Sequence, residues 1–347
     1  MQLLPTRLVN SGPMEGLARL QTELALRQKE LSTGRKVDVG LEAGSEIRRN
    51  FSLKSSIAEI ESLQRQNGVA ASRLGGAQSA LGAIAEATDK FVSDGIAARD
   101  APNARRLMGQ AASNSLADMN LLLNTRIGGF PVFGGQSLDA NPMKAFDSIE
   151  GAPAKDAINA AFQSAFGFLP DDSQAATLNA ADMKAFFEGP FVELFDGLNW
   201  ETLWSNASAS PMRAEILPKV TAETGSTTHL QSLKNLTAGY VALAYFEDKP
   251  VTDAAFKGLI DSSLGLTSAA RGELTSAQAN LGLAEARVSD ANTRLGEMET
   301  VFSRSLNDLE ATDPFDVAAR INTLLTGIEA SYAMTARLQR LSLVNFL

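Results

Sequence analysis

The sequence of 347 residues contains no cysteine and a single histidine, His229. Without thiols the fold can use neither disulfides nor thiolate chemistry. Without a second histidine, a zinc site would have to consist mostly of carboxylates, which zinc rarely prefers. His229 lies in a polar stretch, where a surface or capping role is expected. We therefore expect no metal, no cofactor and no histidine-based catalysis in this chain.

The chain also lacks long apolar runs and an excess of basic residues. No uninterrupted apolar run approaches the roughly 18 residues that a membrane span requires, and the first ten residues show no signal-peptide pattern. The net charge is −9, whereas binding to nucleic acid needs clustered lysine and arginine side chains that displace counterions. These absences argue against membrane insertion and against nucleic-acid binding.

The motifs of common catalytic sites are likewise missing. The glycine-rich frame that begins at Gly129 places Gly135 where a phosphate-binding loop requires lysine. No Gly-x-Ser-x-Gly nucleophile elbow occurs. The adjacent acids Asp171 and Asp172 follow Pro170, so a solvated turn is expected there. The sequence contains no catalytic constellation, and we expect a protein that is not an enzyme.

Proline is concentrated in one region of the chain. Six of the 12 prolines lie within 136–228, whereas only Pro102 interrupts the stretch 14–130. Because proline ends or kinks helices, the proline-poor stretches are where long helices are expected. Residues 136–228 also carry 13 acidic and 5 basic residues and 10 of the 22 aromatic residues. This density predicts an insert with a compact core of its own, the alternative being a ligand-binding cleft at Trp200 and Trp204.

Local signals predict shorter elements. Within the insert, residues 156–166 and 180–187 are predicted to be helical, and residues 212–221 are a possible strand. Glycine pairs bound the run 127–136, which predicts a short hairpin or a tight strand.

Two seven-residue repeats, one in each half of the chain, predict long helices. Their apolar positions run from Ile60 to Ala98 and from Leu274 to Leu309, and small alanines at alternate positions let the helices approach closely. We expect these two helices to form one intramolecular bundle. Asn67 occupies a seam position, where it either fixes the register or faces solvent at a frayed seam.

Apolar stripes also lie at both chain ends, each separated from the rest by helix breakers. Ser32-Thr33-Gly34 predicts the end of the first helix, and Asp313 with Pro314 predicts the start of the last one. Because a single helix of this size is marginal in water, the stripes require partners, either each other or another subunit. The predicted assembly interface comprises Leu17, Leu20, Leu24, Leu31, Val317, Ile321, Leu324, Ile328 and Leu338.

Several motifs resemble the bacterial flagellin superfamily. Leu31-Ser32-Thr33-Gly34, followed by Arg35-Lys36-Val37, is similar to the end of the family's N-terminal helix. The final residues Ser342-Leu343-Val344-Asn345-Phe346-Leu347 are similar to the family's terminal segment. Phe133-Gly134-Gly135 resembles an element typical of the family branch that forms the hook–filament junction. Residues 38–44 depart from the Asp-Asp-Pro/Ala segment that the family commonly has there.

The resemblance and the periodicity together predict a mainly α fold. Both chain ends form a long antiparallel helical bundle or coiled-coil rod, and an α+β outer domain is inserted into it. The expected parts are a terminal coiled-coil assembly domain (1–42 plus 308–347), a helical rod domain with a short hairpin (43–135 plus 229–307) and an acidic outer domain (136–228).

The resemblance further implies a structural subunit of the bacterial flagellum, at the junction between the hook-side adaptor and the filament. The alternatives are flagellin itself, the bulk filament subunit, and a ligand-binding insert on a flagellar frame. Implied partners are copies of the chain, flagellin, the hook-side adaptor (hook-associated protein 1) and a flagellar type III export chaperone. The implied location is the extracellular flagellum, reached through the type III apparatus without a cleaved signal peptide.

Overall fold

The computed structural model describes residues 6–37 and 47–344, with side chains described for 15–37 and 47–337. Helices dominate these residues, which confirms the mainly α prediction. Two small antiparallel hairpins and a series of short helical turns between Phe187 and Trp204 interrupt them. The elements in chain order are α1 (Thr6–Thr33), α2 (Ile47–Ala98), α3 (Ala104–Leu123), β1 (Arg126–Ile127), β2 (Phe130–Pro131), α4 (Ala152–Phe166), α5 (Ala180–Phe186), β3 (Arg213–Leu217), β4 (Val220–Glu223), α6 (Gln231–Phe246), α7 (Asp253–Glu310) and α8 (Pro314–Val344).

The chain divides into two compact units. The terminal unit comprises residues 1–62 with 296–347, and the central unit comprises residues 63–295. Helices α2 and α7 each contribute residues to both units. The three-domain division given above is a different partition of the chain and stays a prediction.

Helices α2 and α7 pair antiparallel within the central unit, as the heptad repeats predict. The Gln78 side-chain amide donates to the backbone oxygen of Gln278 at 2.7 Å, and Arg271 Nε contacts both Asp89 carboxylate oxygens at 3.0 Å. Apolar seam positions of both helices are buried, and removing such side chains from water drives the pairing. They include Leu74, Ala77, Leu81, Ile84, Leu274, Val288, Ala291 and Leu295.

Asn67 is buried in this seam, with 1% of its surface exposed, so the solvent-facing alternative is wrong. Its Nδ2 donates to Asn292 Oδ1 on α7 at 3.0 Å and to the backbone oxygen of Ile216 on β3 at 2.9 Å. A buried amide is costly unless it is hydrogen-bonded, and a shift of register would break both bonds. Asn67 therefore favours one register between α2, α7 and the β3–β4 hairpin.

Helix α6 is the most buried helical segment of the central unit, and the periodicity did not identify it. It packs antiparallel on α3, with Arg105 donating to the backbone oxygen of Val251, just beyond α6. Tyr240 contacts the Phe91 ring edge-on at 4.9 Å and shares a 3.0 Å hydrogen bond with the Thr88 hydroxyl. Burial raises the pKa of Tyr240 to about 12. Because α6 is buried on nearly every side, it shows no amphipathic stripe.

The aromatic residues of the insert form a compact core, as their density predicts, but the expectation that this core belongs to the insert alone is wrong. Trp204 stacks on Phe195, with ring centroids 4.4 Å apart, and its indole N–H donates to the backbone oxygen of Leu194 at 2.8 Å. Phe162 lies 5.7 Å from Phe246 of α6. The core is therefore shared with α6 and is not confined to the insert. Since Trp200 and Trp204 are 0% and 1% exposed, neither indole is presented to a ligand.

The local predictions for the insert and the hairpin are largely confirmed. Helix α4 covers the predicted stretch 156–166, and α5 covers residues 180–186 of the predicted stretch 180–187. The glycine-rich hairpin is present as β1–β2, where Gly128 and Gly129 have φ of +61° and +85°, the left-handed values that a two-residue turn requires. The single strand proposed for 212–221 is wrong, because the chain reverses at Lys219 and forms the β3–β4 hairpin.

Candidate assembly surface

The two terminal helices, α1 and α8, pack against each other in an antiparallel pair. Gln21 Nε2 donates to the Tyr332 hydroxyl at 3.0 Å. Leu20 Cδ1 lies 3.9 Å from the position that a Cβ on Gly327 would occupy. The apolar stripes at the chain ends are thus partners within one chain. The sequence left open whether the stripes pair with each other or with another subunit, and in this structure they pair with each other.

The predicted interface residues differ in how far this pairing covers them. On α8, Val317, Leu324 and Ile328 are buried and Ile321 is half-buried. On α1, Leu31 is 43% exposed. Three further α1 leucines are half-buried, namely Leu17, Leu20 and Leu24. The side chains of Leu338, Ser342 and Leu343, and the whole of Asn345, lie outside the described residues.

Other large apolar side chains of α1 and α8 remain in contact with water. An open groove of about 730 Å³ lies along the pair, lined by residues of both helices that include Leu20 and Met334. Apolar surface left on a helix pair is a common mark of an interaction site. The predicted interface does not include these residues, because they lie off the apolar stripe of each helix. They are Leu26, Phe315, Leu325, Tyr332 and Met334.

The breakers that bound the pair act as the sequence predicts. Gly34 ends α1 with φ of +68°, and its N–H donates to the backbone oxygen of Glu30 at 2.8 Å. Asp313 caps α8, because its Oδ1 accepts a 2.8 Å hydrogen bond from the N–H of Phe315, and Pro314 is the first helical residue.

Near these two helix ends lies a buried polar cluster that the sequence analysis did not predict. Glu310, at the end of α7, is 6% exposed. Its Oε1 accepts from Asn50 Nδ2 at 2.9 Å and from Lys54 Nζ at 2.6 Å, and Arg35 lies 3.7 Å from its Oε2. A buried carboxylate is stable only when it is paired and hydrogen-bonded, and Glu310 meets both conditions.

The second carboxylate of the cluster, Glu30, is 2% exposed near the end of α1. Its Oε2 accepts from Arg27 at 2.7 Å, and its Oε1 accepts from the backbone N–H of Val37 at 2.9 Å. Glu30 therefore closes the turn that follows its own helix.

Acidic pH is expected to loosen the terminal unit through Glu310. The hydrogen bonds from Asn50 and Lys54 hold the pKa of Glu310 below its ordinary value of 4.5. A carboxyl with a lowered folded-state pKa contributes stability above the ordinary value, and this stability is lost as the pH falls through the lowered pKa. Thermal unfolding followed between pH 7 and pH 3 should show a steeper loss below pH 4.5 for the parent than for Glu310→Gln. Parallel profiles would contradict this expectation.

The terminal segments match two models of one family. The bacterial flagellin N-terminal helical region matches residues 6–137, and the bacterial flagellin C-terminal helical region matches residues 264–347. Together these matches cover more than half of the chain. The chain belongs to the flagellin family. The resemblance drawn from the terminal motifs is thus confirmed for the family, and the protein is a structural component of the bacterial flagellum, which assembles outside the cell.

Comparison with solved structures finds 23 matching chains. One is a Vibrio parahaemolyticus protein assigned as a flagellar hook-associated protein, which shares 11% identity with a TM-score of 0.49, over 75% of this chain and 95% of that one. Comparison with curated proteins finds no matching sequence.

In this flagellin-family protein, Phe133-Gly134-Gly135 joins the two ends of the insert. Phe133 is fully buried, and its backbone oxygen accepts from the N–H of Thr228 at 3.2 Å. The N–H of Gly135 donates to the backbone oxygen of Ser226 at 3.0 Å. A Cβ on Gly134 would lie 2.3 Å from the backbone oxygen of Ser137, so only glycine fits there. The motif therefore holds the chain entering the insert beside the chain leaving it.

The remaining polar candidates have structural partners in this flagellin-family protein. His229 is half-buried, and its Nε2 lies 3.1 Å from the backbone oxygen of Ala207. Asp171 pairs with Lys249 at 2.9 Å, and Asp172 Oδ1 accepts from the N–H of Gln174 at 2.8 Å. Across 6–37 and 47–344, no group of three or more His, Cys, Asp or Glu residues is arranged to hold a metal ion. Among the helices described in those ranges, none is long and apolar enough to cross a membrane.

Proposed function

We propose that this flagellin-family protein is the junction subunit between the hook-side adaptor and the filament. The observation that supports this position is the Phe133-Gly134-Gly135 element, which resembles that of the junction branch. Its buried phenylalanine and two tightly packed glycines close the base of the insert. Packing within the chain thus accounts for all three residues of the motif. The proposed junction subunit acts by packing against neighbouring subunits and not by a reaction.

Assembly is proposed to use the α1–α8 pair as one block. The buried side chains Val317, Leu324 and Ile328 hold the block together, while the exposed Leu31 and the apolar groove are available to a neighbouring copy. Burying such surface between copies releases water and favours association. The terminal assembly domain, the rod domain and the acidic outer domain keep the boundaries proposed from the sequence.

The proposed partners follow from this position. They are further copies of the chain, flagellin on the filament side, hook-associated protein 1 on the hook side, and an export chaperone before secretion. Export through the flagellar type III apparatus belongs to the same proposal.

Deletion of the gene tests the junction position directly. We expect the deleted cells to keep hooks, to lose filaments and to release flagellin into the medium, because filament subunits would have no surface on which to start. Electron microscopy of hooks and quantification of secreted flagellin measure the outcome, and restoring the gene is the control. Cells that retain filaments after deletion would rule out a junction role.

The second candidate is flagellin itself, and the two flagellin family matches favour it. A bulk filament subunit polymerises alone on filament seeds, whereas a junction subunit adds at most a short segment. Incubation of the purified protein with seeds, followed by measurement of filament length, separates the two. Long filaments of this protein alone would establish the flagellin role.

A further inference from the structure

Four segments of the terminal unit meet at the cluster of Glu30 and Glu310. They are the end of α1, the turn after it, the start of α2 and the end of α7. Backbone bonds join two of them, because the N–H of Lys36 donates to the backbone oxygen of Glu310 at 2.9 Å, and the N–H of Thr312 donates to that of Gly34 at 3.1 Å. The chain that leaves α1 therefore runs beside the chain that enters α8.

The two carboxylates hold different parts of this crossing. Glu30 fixes the turn to α1 through the N–H of Val37, whereas Glu310 reaches α2 through Asn50 and Lys54. The guanidinium of Arg35 lies in the turn between them, donating to Asn307 Oδ1 at 2.7 Å while facing Glu310 at 3.7 Å. The contacts thus run without interruption from α1, through the turn, to α7 and α2.

Losing one partner from such a cluster costs more stability than forming the complete cluster contributes. The complete charge-assisted network gives each carboxylate its partners, but loss of one partner leaves an unpaired polar group away from water. Contacts of this kind fix geometry more effectively than apolar contacts of the same size, because a shifted arrangement loses its hydrogen bonds.

We propose that Glu30 and Glu310 are positioning residues that latch the paired helices α1 and α8 to the adjoining ends of α2 and α7, and that subunit assembly requires this latch. The second half rests on the proposed assembly function, whereas the first concerns the isolated chain. The α1–α8 pair presents its apolar groove from a fixed place when the latch is formed. Without the latch the pair opens and shifts, and neighbouring grooves no longer match.

Amide hydrogen exchange of the isolated protein tests the latch. The variants are Glu310→Gln and Glu30→Gln, which remove the charge but keep the side-chain size. The matched control is Glu297→Gln, an exposed glutamate on the same helix as Glu310. We expect amides of α1 and α8 to exchange about tenfold faster in the two latch variants, since a hydrogen bond to a charged group is worth roughly that factor. Residues 63–295 should exchange as in the parent.

Two results would overturn the latch. One is exchange of α1 and α8 at the parent rate in both variants, and the other is equal acceleration throughout the chain, which would indicate a general loss of stability. Should Glu310→Gln fail to fold, Lys54→Met keeps the carboxylate and removes one partner, and the same local acceleration is expected.

Incorporation into hook-filament structures then tests the requirement for assembly. We expect both latch variants to be secreted but to fail in restoring filaments to deleted cells, whereas Glu297→Gln restores them. Full restoration by latch variants that show local acceleration would refute the assembly half. If the gene proves dispensable for filaments, the junction proposal fails, while the exchange result still decides the latch.

Discussion

Replacement of Leu324 by aspartate is expected to separate the paired terminal helices and to abolish assembly. Leu324 is 8% exposed and lies on α8, which packs on α1. An unpaired carboxylate in such a place costs roughly 3–5 kcal/mol. A two-helix pair has little stability to lose, because isolated helices of this length are marginal in water. The cost of the buried carboxylate therefore exceeds the stability of the α1–α8 pair.

The adjacent Leu325 provides the matched comparison. It is 41% exposed, so an aspartate there remains in contact with water in the monomer. We expect Leu325→Asp to leave the helix content of the isolated chain unchanged. If the exposed apolar surface of the pair contacts neighbouring copies, as proposed, this variant should nevertheless assemble poorly. The two substitutions introduce the same charge one residue apart, and thus distinguish contacts within a chain from contacts between chains.

Circular dichroism at 222 nm and amide exchange of α1 and α8 measure the first effect, and recovery of filaments in deleted cells measures the second. Glu329→Gln, on an exposed polar position of α8, controls for the substitution itself. Unchanged helix content in Leu324→Asp would mean that the pair does not depend on its buried stripe. Normal assembly of Leu325→Asp would exclude this part of the exposed surface from the interface.

Much of the helical framework could be predicted because its signals are local. The seams from Ile60 and from Leu274 repeat every seven residues, and Gly34 and Asp313 mark helix ends by the chemistry of single residues. Each signal needs only neighbours in sequence. The antiparallel pairing of α2 with α7 and the ends of both helices follow from them, whereas the helices begin well before the seams, at Ile47 and Asp253.

The polar cluster could not be predicted, because its members are distant in sequence. Glu30 and Glu310 look like ordinary surface positions of charged helices, and nothing nearby marks them as buried. Both carboxylates are buried, and Glu310 has its partners Asn50 and Lys54 on α2, far away in sequence. Asn67 is an intermediate case. Its seam position predicted that it either fixes the register or faces solvent, but the sequence did not identify its partners on α7 and β3.

Predictions for the insert were right where the signal is local and wrong or incomplete where it is not. Residues 212–221 were predicted as a possible strand, but Pro218 and Lys219 form a turn, and the sequence does not signal the positive φ at Lys219. The aromatic density correctly indicated a core around Trp200 and Trp204. It did not indicate that α6 completes that core, because a helix buried on all sides lacks the periodicity that identifies surface helices.

Replacement of Trp204 by alanine is expected to destabilise the central unit by about 3–5 kcal/mol. The indole is 1% exposed and stacks on Phe195 and Phe146 at 4.4 and 5.8 Å. Removing it leaves a cavity that these rings cannot fill, and leaves the backbone oxygen of Leu194 without its hydrogen bond. Urea unfolding of the purified protein, followed by the midpoint, measures the loss.

Leu198 supplies the control from the same region, since it is 77% exposed and its replacement by alanine should change stability by less than about 0.5 kcal/mol. The comparison also decides the ligand-binding alternative for the insert. A tryptophan that serves a ligand can be removed with little effect on folding, whereas one that fills a core cannot. A small stability change in Trp204→Ala would therefore reopen the ligand-binding hypothesis, and a large one makes this ring part of the framework on which the outer surface of the insert is built.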